Sequence, residues 1–180
     1  MKVLVLLILS SFLFFQTLIL AHSQLDWQKK FEADVSYAGV GFLTPDHPFY
    51  FLDSFFDRLK ILFVLNKQER ARKHFLFASE RLKEVEFSLK KKDEKSLDLS
   101  LKNLFLELEG TKNLLKLEKQ KQTETKEFAE FVGTGLGVYQ KKISDLEQAA
   151  PKVSEAYLTL ARLRIEELLE EVQKELPEQK

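Results

Sequence analysis

The run Gly133-Thr134-Gly135-Leu136-Gly137 is the first place where this chain could do chemistry. Glycine-rich loops cradle phosphates with backbone N–H groups, but they need a strand leading in and a helix leading out. Here Lys126 to Val132 follows a helical pattern, and no Lys with Ser or Thr comes after the run at phosphate-loop spacing. The glycines therefore read as helical. Gly133 and Gly137, four apart, share one face and either let a second helix come close or loosen their own. Metal binding needs clustered ligands. His47 and His74 lie far apart, and neither His-Glu-x-x-His nor Glu-x-x-His occurs. The pairs Glu127/Glu130 and Glu166/Glu170 have helical spacing, which on a charged helix marks a solvated face. There is no cysteine and no Gly-x-Ser-x-Gly elbow, and Ser54, Ser79, Ser88 and Ser96 are scattered through helical segments. The residues thus assign no catalytic, cofactor-binding or metal-ligating side chain, and the chain reads as a non-enzyme. His47 or His74 enters only in an alternative, a bundle that senses a ligand or metal in a cavity between its helices.

A second feature is the aromatic cluster Phe49, Tyr50, Phe51, Phe55 and Phe56. It could grip a partner helix or lipid, or it could be buried on most sides of a wedged helix. The spacing predicts burial, and any ring area left outside would imply association.

The elements that position these residues follow from composition and periodicity. The chain has 180 residues, 28 basic and 28 acidic, so no long-range field recruits nucleic acid or an anionic membrane. With zero cysteines, stability comes from packing. Leu, Glu and Lys dominate, as in long helices. The 16 phenylalanines call for substantial cores.

Residues 1–23 read as a signal peptide or a signal anchor. Lys2 supplies the positive start, and residues 3–20 are apolar. Ala21 and Ser23 suit a cut before Gln24. Eighteen residues reach about 27 Å, close to the ~30 Å hydrocarbon core, so a retained span is the rival. Ser10, Ser11, Gln16 and Thr17 dilute the run and favour cleavage. Either way the body is expected outside the cytoplasmic membrane, with a possible membrane tether through residues 3–20. The absence of cysteine excludes a lipid anchor through an N-terminal cysteine.

Residues 24–43 read as a weakly ordered juxtamembrane tether, broken by Gly39 and Gly41. A helical domain follows at 44–176, with a tail at 177–180. Its first helix, about Pro48 to Leu65, carries a stripe of Leu52, Phe55, Phe56, Leu59, Leu62 and Phe63. Asn66, with Glu69 three later, starts the next helix, which runs to about Lys91. Its seam of Ala71, Phe75, Ala78, Leu82, Val85 and Leu89 is a heptad pattern. Asp93 caps a third helix with Leu97, Leu101, Leu104, Leu108 and Leu115, weakened at Gly110-Thr111. A break is expected near Thr123. A fourth helix carries Phe128, Val132, Leu136, Tyr139, Ile143 and Leu146. Pro151 opens a fifth with Val153, Tyr157, Ala161, Ile165, Leu168, Val172 and Leu176, and Pro177 closes it. Short connections make neighbours antiparallel. The expected fold is all-α: an elongated antiparallel bundle of coiled-coil-like hairpins, about five helices.

The order of these signals resembles a known family. Leu43-Thr44-Pro45-Asp46-His47-Pro48-Phe49-Tyr50-Phe51-Leu52 is similar to the P-D-x-P-hydrophobic-Y opening of domain of unknown function 5667. Arg58-Leu59-Lys60, an aromatic-aliphatic patch, and Ala78-Ser79-Glu80-Arg81-Leu82-Lys83-Glu84 follow. The family pattern there is A-E-x-R-L-x-E, and this chain has the first Glu one place later. The resemblance covers about residues 42–117, and the Pro151 helix pair looks similar in outline. It implies an exported or membrane-tethered helical protein and carries over no activity. The expected function is a structural or protein-interaction module of the cell envelope, with a protein partner or self-association and no nucleic acid.

Overall fold

A computed structural model describes residues 27–41, 43–120 and 125–175. The apolar leader, the cut before Gln24, the break near Thr123, Leu176 and the tail lie outside the described residues. Six helices make up the body, and no strand occurs among the described residues. They are α1 (27–37), α2 (Tyr50–Leu62), α3 (Lys67–Lys91), α4 (Glu94–Gln120), α5 (Thr125–Ala149) and α6 (Lys152–Glu175).

Helices α3 and α4 form one antiparallel hairpin and α5 and α6 a second, and the two pack into a single core. At about 1.5 Å per residue, α3 is about 37 Å long, so the body is elongated. The expected heptad seam of α3 is the seam observed: Ala71, Phe75, Ala78, Leu82 and Val85 are fully buried, and Leu89 packs at the margin. Asn66 caps α3, its side chain accepting from the Glu69 N–H at 3.0 Å. Glu69 turns its carboxylate to Arg72. The α3–α4 turn needs only Lys92 and Asp93. Lys92 takes the left-handed conformation at φ 56°, and the Lys92 and Asp93 N–H groups close back on Leu89 and Ser88. Asp93 then caps α4, accepting from the Ser96 N–H at 3.1 Å and its hydroxyl at 2.6 Å. Gly110 and Thr111 leave α4 unbroken, and the buried Thr111 hydroxyl is satisfied by the Leu108 carbonyl within the helix.

Three expectations are corrected by packing. Residues 27–37, expected within a weakly ordered tether at 24–43, form α1 and dock on the core. Trp27, Phe31 and Val35, each four apart, make one stripe. Trp27 lies edge-on to Phe131 at 4.9 Å, and Phe31 contacts Phe75 at 4.8 Å. Burial of these rings works against the entropy of ordering the helix. The α6 stripe is shifted at its start. Val153 faces water, and Ser154 and Leu158 take the inside before Ala161, Ile165, Leu168 and Val172 resume the expected line. Pro151 lies just outside α6, which begins at Lys152.

The glycine run is also reassigned. It is helical, as its pattern predicts, but the close approach is made at Gly135 and not at Gly133 or Gly137. A Cβ at Gly135 would run into the Phe75 ring, Gly133 meets Val172 at an ordinary 3.8 Å, and Gly137 has nothing within 4 Å. Phe75 lies across α5 at the Gly135 notch and stacks on Tyr139, with ring centroids 5.8 Å apart. The Tyr139 hydroxyl donates to the Phe75 carbonyl at 2.5 Å and lies 2.7 Å from the Ser79 hydroxyl. Ion pairs complete the union of the hairpins: Arg164 with Glu109, and Lys112 and Lys116 with Glu171.

Gly135→Ala is therefore expected to destabilise the fold by about 1–3 kcal/mol, since the Phe75 ring must move. Gly137→Ala is expected to stabilise it by about 0.5–1 kcal/mol through helix propensity alone. Denaturant midpoints of the two variants should move in opposite directions. Equal shifts would contradict the placement of Phe75.

Candidate functional site

Helix α2 is amphipathic, but it is mounted the unexpected way round. Its apolar stripe was expected inside. The residues it turns inward are Tyr50, Asp57 and Ile61, with Asp53 and Ser54 half-buried beside them. The aromatic cluster is correspondingly outside: Phe49, Phe51, Phe55 and Phe56 are each more than half exposed, and only Tyr50 is buried. Leu52, Leu62, Phe63 and Leu65 extend the exposed strip. The expected burial of these rings is thus overturned, and the reason lies on α3.

Arg81 sits on α3 with only 1 % of its surface exposed. A guanidinium removed from water must be paired and hydrogen-bonded. Its nearest partners are Asp57 at 2.5 Å and Glu84 at 2.5 Å, with Asp53 at 3.3 Å and the Tyr50 hydroxyl at 3.0 Å. Tyr50 donates its own proton to Glu84 at 2.5 Å, and Asn103 of α4 donates to the Tyr50 oxygen at 3.0 Å. Lys60 reaches back to Asp57 at 2.8 Å. Three helices thus share one buried polar cluster, and all the acids of α2 are committed to it. Gly41 closes it from above. A Cβ there would fall 2.5 Å from the Asp53 carboxylate and 3.1 Å from that of Glu84, so a side chain would push Asp53 from its place.

The cluster holds one carboxylate more than it has cations: Asp53, Asp57 and Glu84 against Arg81 and Lys60. Glu84 is the least exposed of the three. Burial pushes its carboxyl up to about 7, against the pull of Arg81 and Tyr50. Glu80, half-buried one turn away, is raised in the same direction, by burial first and then by Asp57. For Arg81, burial opposes the charge, but Glu84, Tyr50, Asp57 and Asp53 outweigh it and hold the guanidinium above its ordinary range. Burial likewise pushes the Tyr50 hydroxyl up.

The loop ahead of α2 is pinned separately. Asp46 accepts from Lys91 at 2.7 Å and from Thr44, and these bonds lower its carboxyl to about 2. Behind α2, Arg70 donates twice to the Val64 carbonyl, at 3.1 and 2.8 Å. Between the loop, α2 and the start of α4 lies a groove of about 740 Å³. Phe51, Phe55 and Leu99 wall it, and His47, Arg58 and Asn103 supply polar groups.

The two histidines singled out from sequence have separate surroundings. The Nδ1 of His47 accepts from the Phe49 N–H at 3.2 Å, at the groove. His74 pairs with Glu107 at 2.7 Å, and its ring lies against Gly110, where a Cβ would fall 2.5 Å from it. Among the described residues, no group of three or more His, Asp or Glu side chains is placed to hold a metal ion. Glu166 pairs with Arg162, so this member of the predicted acidic pairs is ion-paired. Sequence reasoning missed the Arg81 cluster. Its signal was present in two acids, Asp53 and Asp57, standing four apart inside an aromatic helix.

Compared with known proteins, residues 42–134 match a family described as Domain of unknown function (DUF5667), just over half of the chain. The match begins at the expected position and runs further than residue 117, through α4 and into α5. It contains every member of the Arg81 cluster. No curated protein and no solved structure matches the chain.

Raising the Glu84 pKa has a definite sign for stability. Below about pH 4.5 the group is protonated whether folded or unfolded. Between there and about pH 7 only the folded chain keeps the proton, so stability falls as pH rises through this window. The Glu84 contribution to that fall is at most about 3 kcal/mol. Glu84→Gln should flatten the stability curve over the window, measured as denaturant midpoints at closely spaced pH. An unchanged slope would place the excess proton elsewhere.

Proposed function

This chain belongs to the DUF5667 family, and from that premise we propose that it is a non-enzymatic structural and docking module of the cell envelope. In this reading the apolar segment at residues 3–20 carries the body across the cytoplasmic membrane, either as a cleaved signal or as a retained span. The helical body then engages another envelope component through the outward face of α2. That component is a protein partner, a second copy or the lipid surface. The observation that supports docking is the mounting of α2: its acids are locked inward on Arg81, and eight large apolar side chains between Phe49 and Leu65 face out. Contiguous apolar surface of this kind marks association sites on folded proteins.

A photo-crosslinking residue at Phe55 of the full chain, expressed in cells, should give adducts with an envelope component, while one at Glu155 on α6 should not. A C-terminal reporter enzyme active only outside the cytoplasm should be active. No adduct from position 55, or an inactive reporter, would sink the corresponding half of the proposal.

The groove beside α2 favours a second reading, a ligand-sensing bundle. It brings His47 together with Arg58 and Asn103 against apolar walls. A ligand specific for the folded chain must raise its melting midpoint. Loss of that rise in His47→Ala would assign the groove as the sensor.

A further inference from the structure

We infer that the outward face of α2 is a bilayer-docking surface, so that the bundle lies on the membrane with its aromatic strip among the acyl chains. This inference rests on the docking reading and names the partner.

The first argument is where the charges go. Residues 49–65 contain only four charged side chains, Asp53, Asp57, Arg58 and Lys60. Both acids point into the bundle and are bound by Arg81. The cations Arg58 and Lys60 are the exposed ones. The face therefore presents rings and aliphatic chains with Arg58 and Lys60 at its margin, and the acids nearest to it are paired: Asp53 beside Phe56 with Arg81, and, in the groove beside Phe51, Asp46 with Lys91 and Asp93 with Ser96. That is the charge pattern of a helix lying in a bilayer interface, where cations meet headgroup phosphates and acids would be repelled or desolvated.

The second argument is the lack of polar reading groups on the face. A surface that recognises one protein sets hydrogen-bonding groups among its apolar ones to fix orientation. Phe49, Phe51, Leu52, Phe55, Phe56, Leu62, Phe63 and Leu65 supply none through their side chains. Exposure is largest at the C-terminal end, 82 % at Phe63 and 92 % at Leu65, beyond the last turn of α2. Those two residues stand clear of the body, as an insertion wedge would. The polar groups His47, Arg58 and Asn103 lie to one side, in the groove walled by Phe51, Phe55 and Leu99, and not among the rings that stand furthest out.

The third argument is the chain ahead of α1. Residues 3–20 are an apolar run about as long as the hydrocarbon core is thick. A span at 3–20 would hold the body beside the bilayer, and a tethered face meets its surface at a high effective concentration, so that even a modest inserting strip on α2 would stay docked. With 28 basic and 28 acidic residues overall, attachment comes from insertion and not from long-range attraction.

The absence of cysteine gives a clean test. Single substitutions Phe55→Cys, Phe63→Cys and Glu155→Cys, each in the full chain, take a nitroxide label. The labelled proteins are reconstituted into phosphatidylcholine vesicles, and into vesicles with added phosphatidylglycerol. All three positions are exposed, so the fold tolerates the labels, and circular dichroism verifies it. Labels at 55 and 63 should lose access to a water-soluble nickel relaxation agent several-fold relative to 155, and should gain access to oxygen. They should do so in both lipid mixtures. Labels at 55 and 63 that stay as accessible to nickel as 155 overturn the inference. Dipolar broadening between labels at 55 in place of oxygen access also overturns it, and assigns the face to a second copy. In that case docking stands and the lipid partner falls. Full nickel access without broadening, together with no adduct from position 55 in cells, removes both.

Discussion

A guanidinium held in the middle of a helical bundle needs its counter-charges within reach, and Arg81 draws two of its three from another helix. Asp53 and Asp57 come from α2, Glu84 from its own helix one turn on, and the Tyr50 hydroxyl from the start of α2. The orientation of α2 follows from this. Rotating α2 by half a turn would bury Leu52, Phe55 and Phe56, which apolar burial alone favours. It would also carry Asp53 and Asp57 into water, leave Arg81 buried with Glu84 as its one remaining partner of four, and take the Tyr50 hydroxyl from Glu84. An uncompensated buried charge costs about 3–5 kcal/mol when one partner is removed. Several bonds would be lost at once, so the charges decide the mounting and the rings face out.

The placement of the surrounding pieces serves the same cluster. Gly41 passes over the Asp53 carboxylate because it has no side chain, Lys91 holds the loop through Asp46, and Arg70 fastens the far end of α2 through Val64. Helix α2 touches the bundle mainly through polar groups, while α3, α4, α5 and α6 share the apolar core. The molecule thus has two regimes of cohesion. Its hairpins are joined by shape and hydrophobic contact, and α2 is joined by directed bonds that hold one rotation about the helix axis.

Much of this was legible in the residues. The seams of α3, α4 and α5 follow helical periodicity, and the caps at Asn66 and Asp93 use the residue types that caps require. The stripe of α1 was there as well, in Trp27, Phe31 and Val35, but two following glycines drew attention to flexibility. The α2 mounting was not legible from periodicity. A hydrophobic stripe is normally the inward face; Asp53 and Asp57, four apart, are the one local sign to the contrary, and the arginine that gives them their meaning lies about 25 residues downstream. That constraint is long-range, and it reverses the local rule. The Gly135 notch has the same character: three glycines in alternate positions are equivalent in sequence, and only the position of the Phe75 ring on another helix chooses among them.

The bond from Tyr139 to the Phe75 carbonyl bears on how the two hairpins can move against each other. Its hydroxyl is wholly buried, and its partners are one backbone oxygen and the Ser79 hydroxyl on a single turn of α3. Sliding α5 along α3 by less than a helical turn, about 5.4 Å, would leave that hydroxyl with no partner and no water. Small sliding motions, the usual soft mode of packed helices, therefore cost this pair about 1–3 kcal/mol. The bundle behaves as a key in a slot. The resistance to shear between α3 and α5 is concentrated at this one point, where the Tyr139 hydroxyl enters α3.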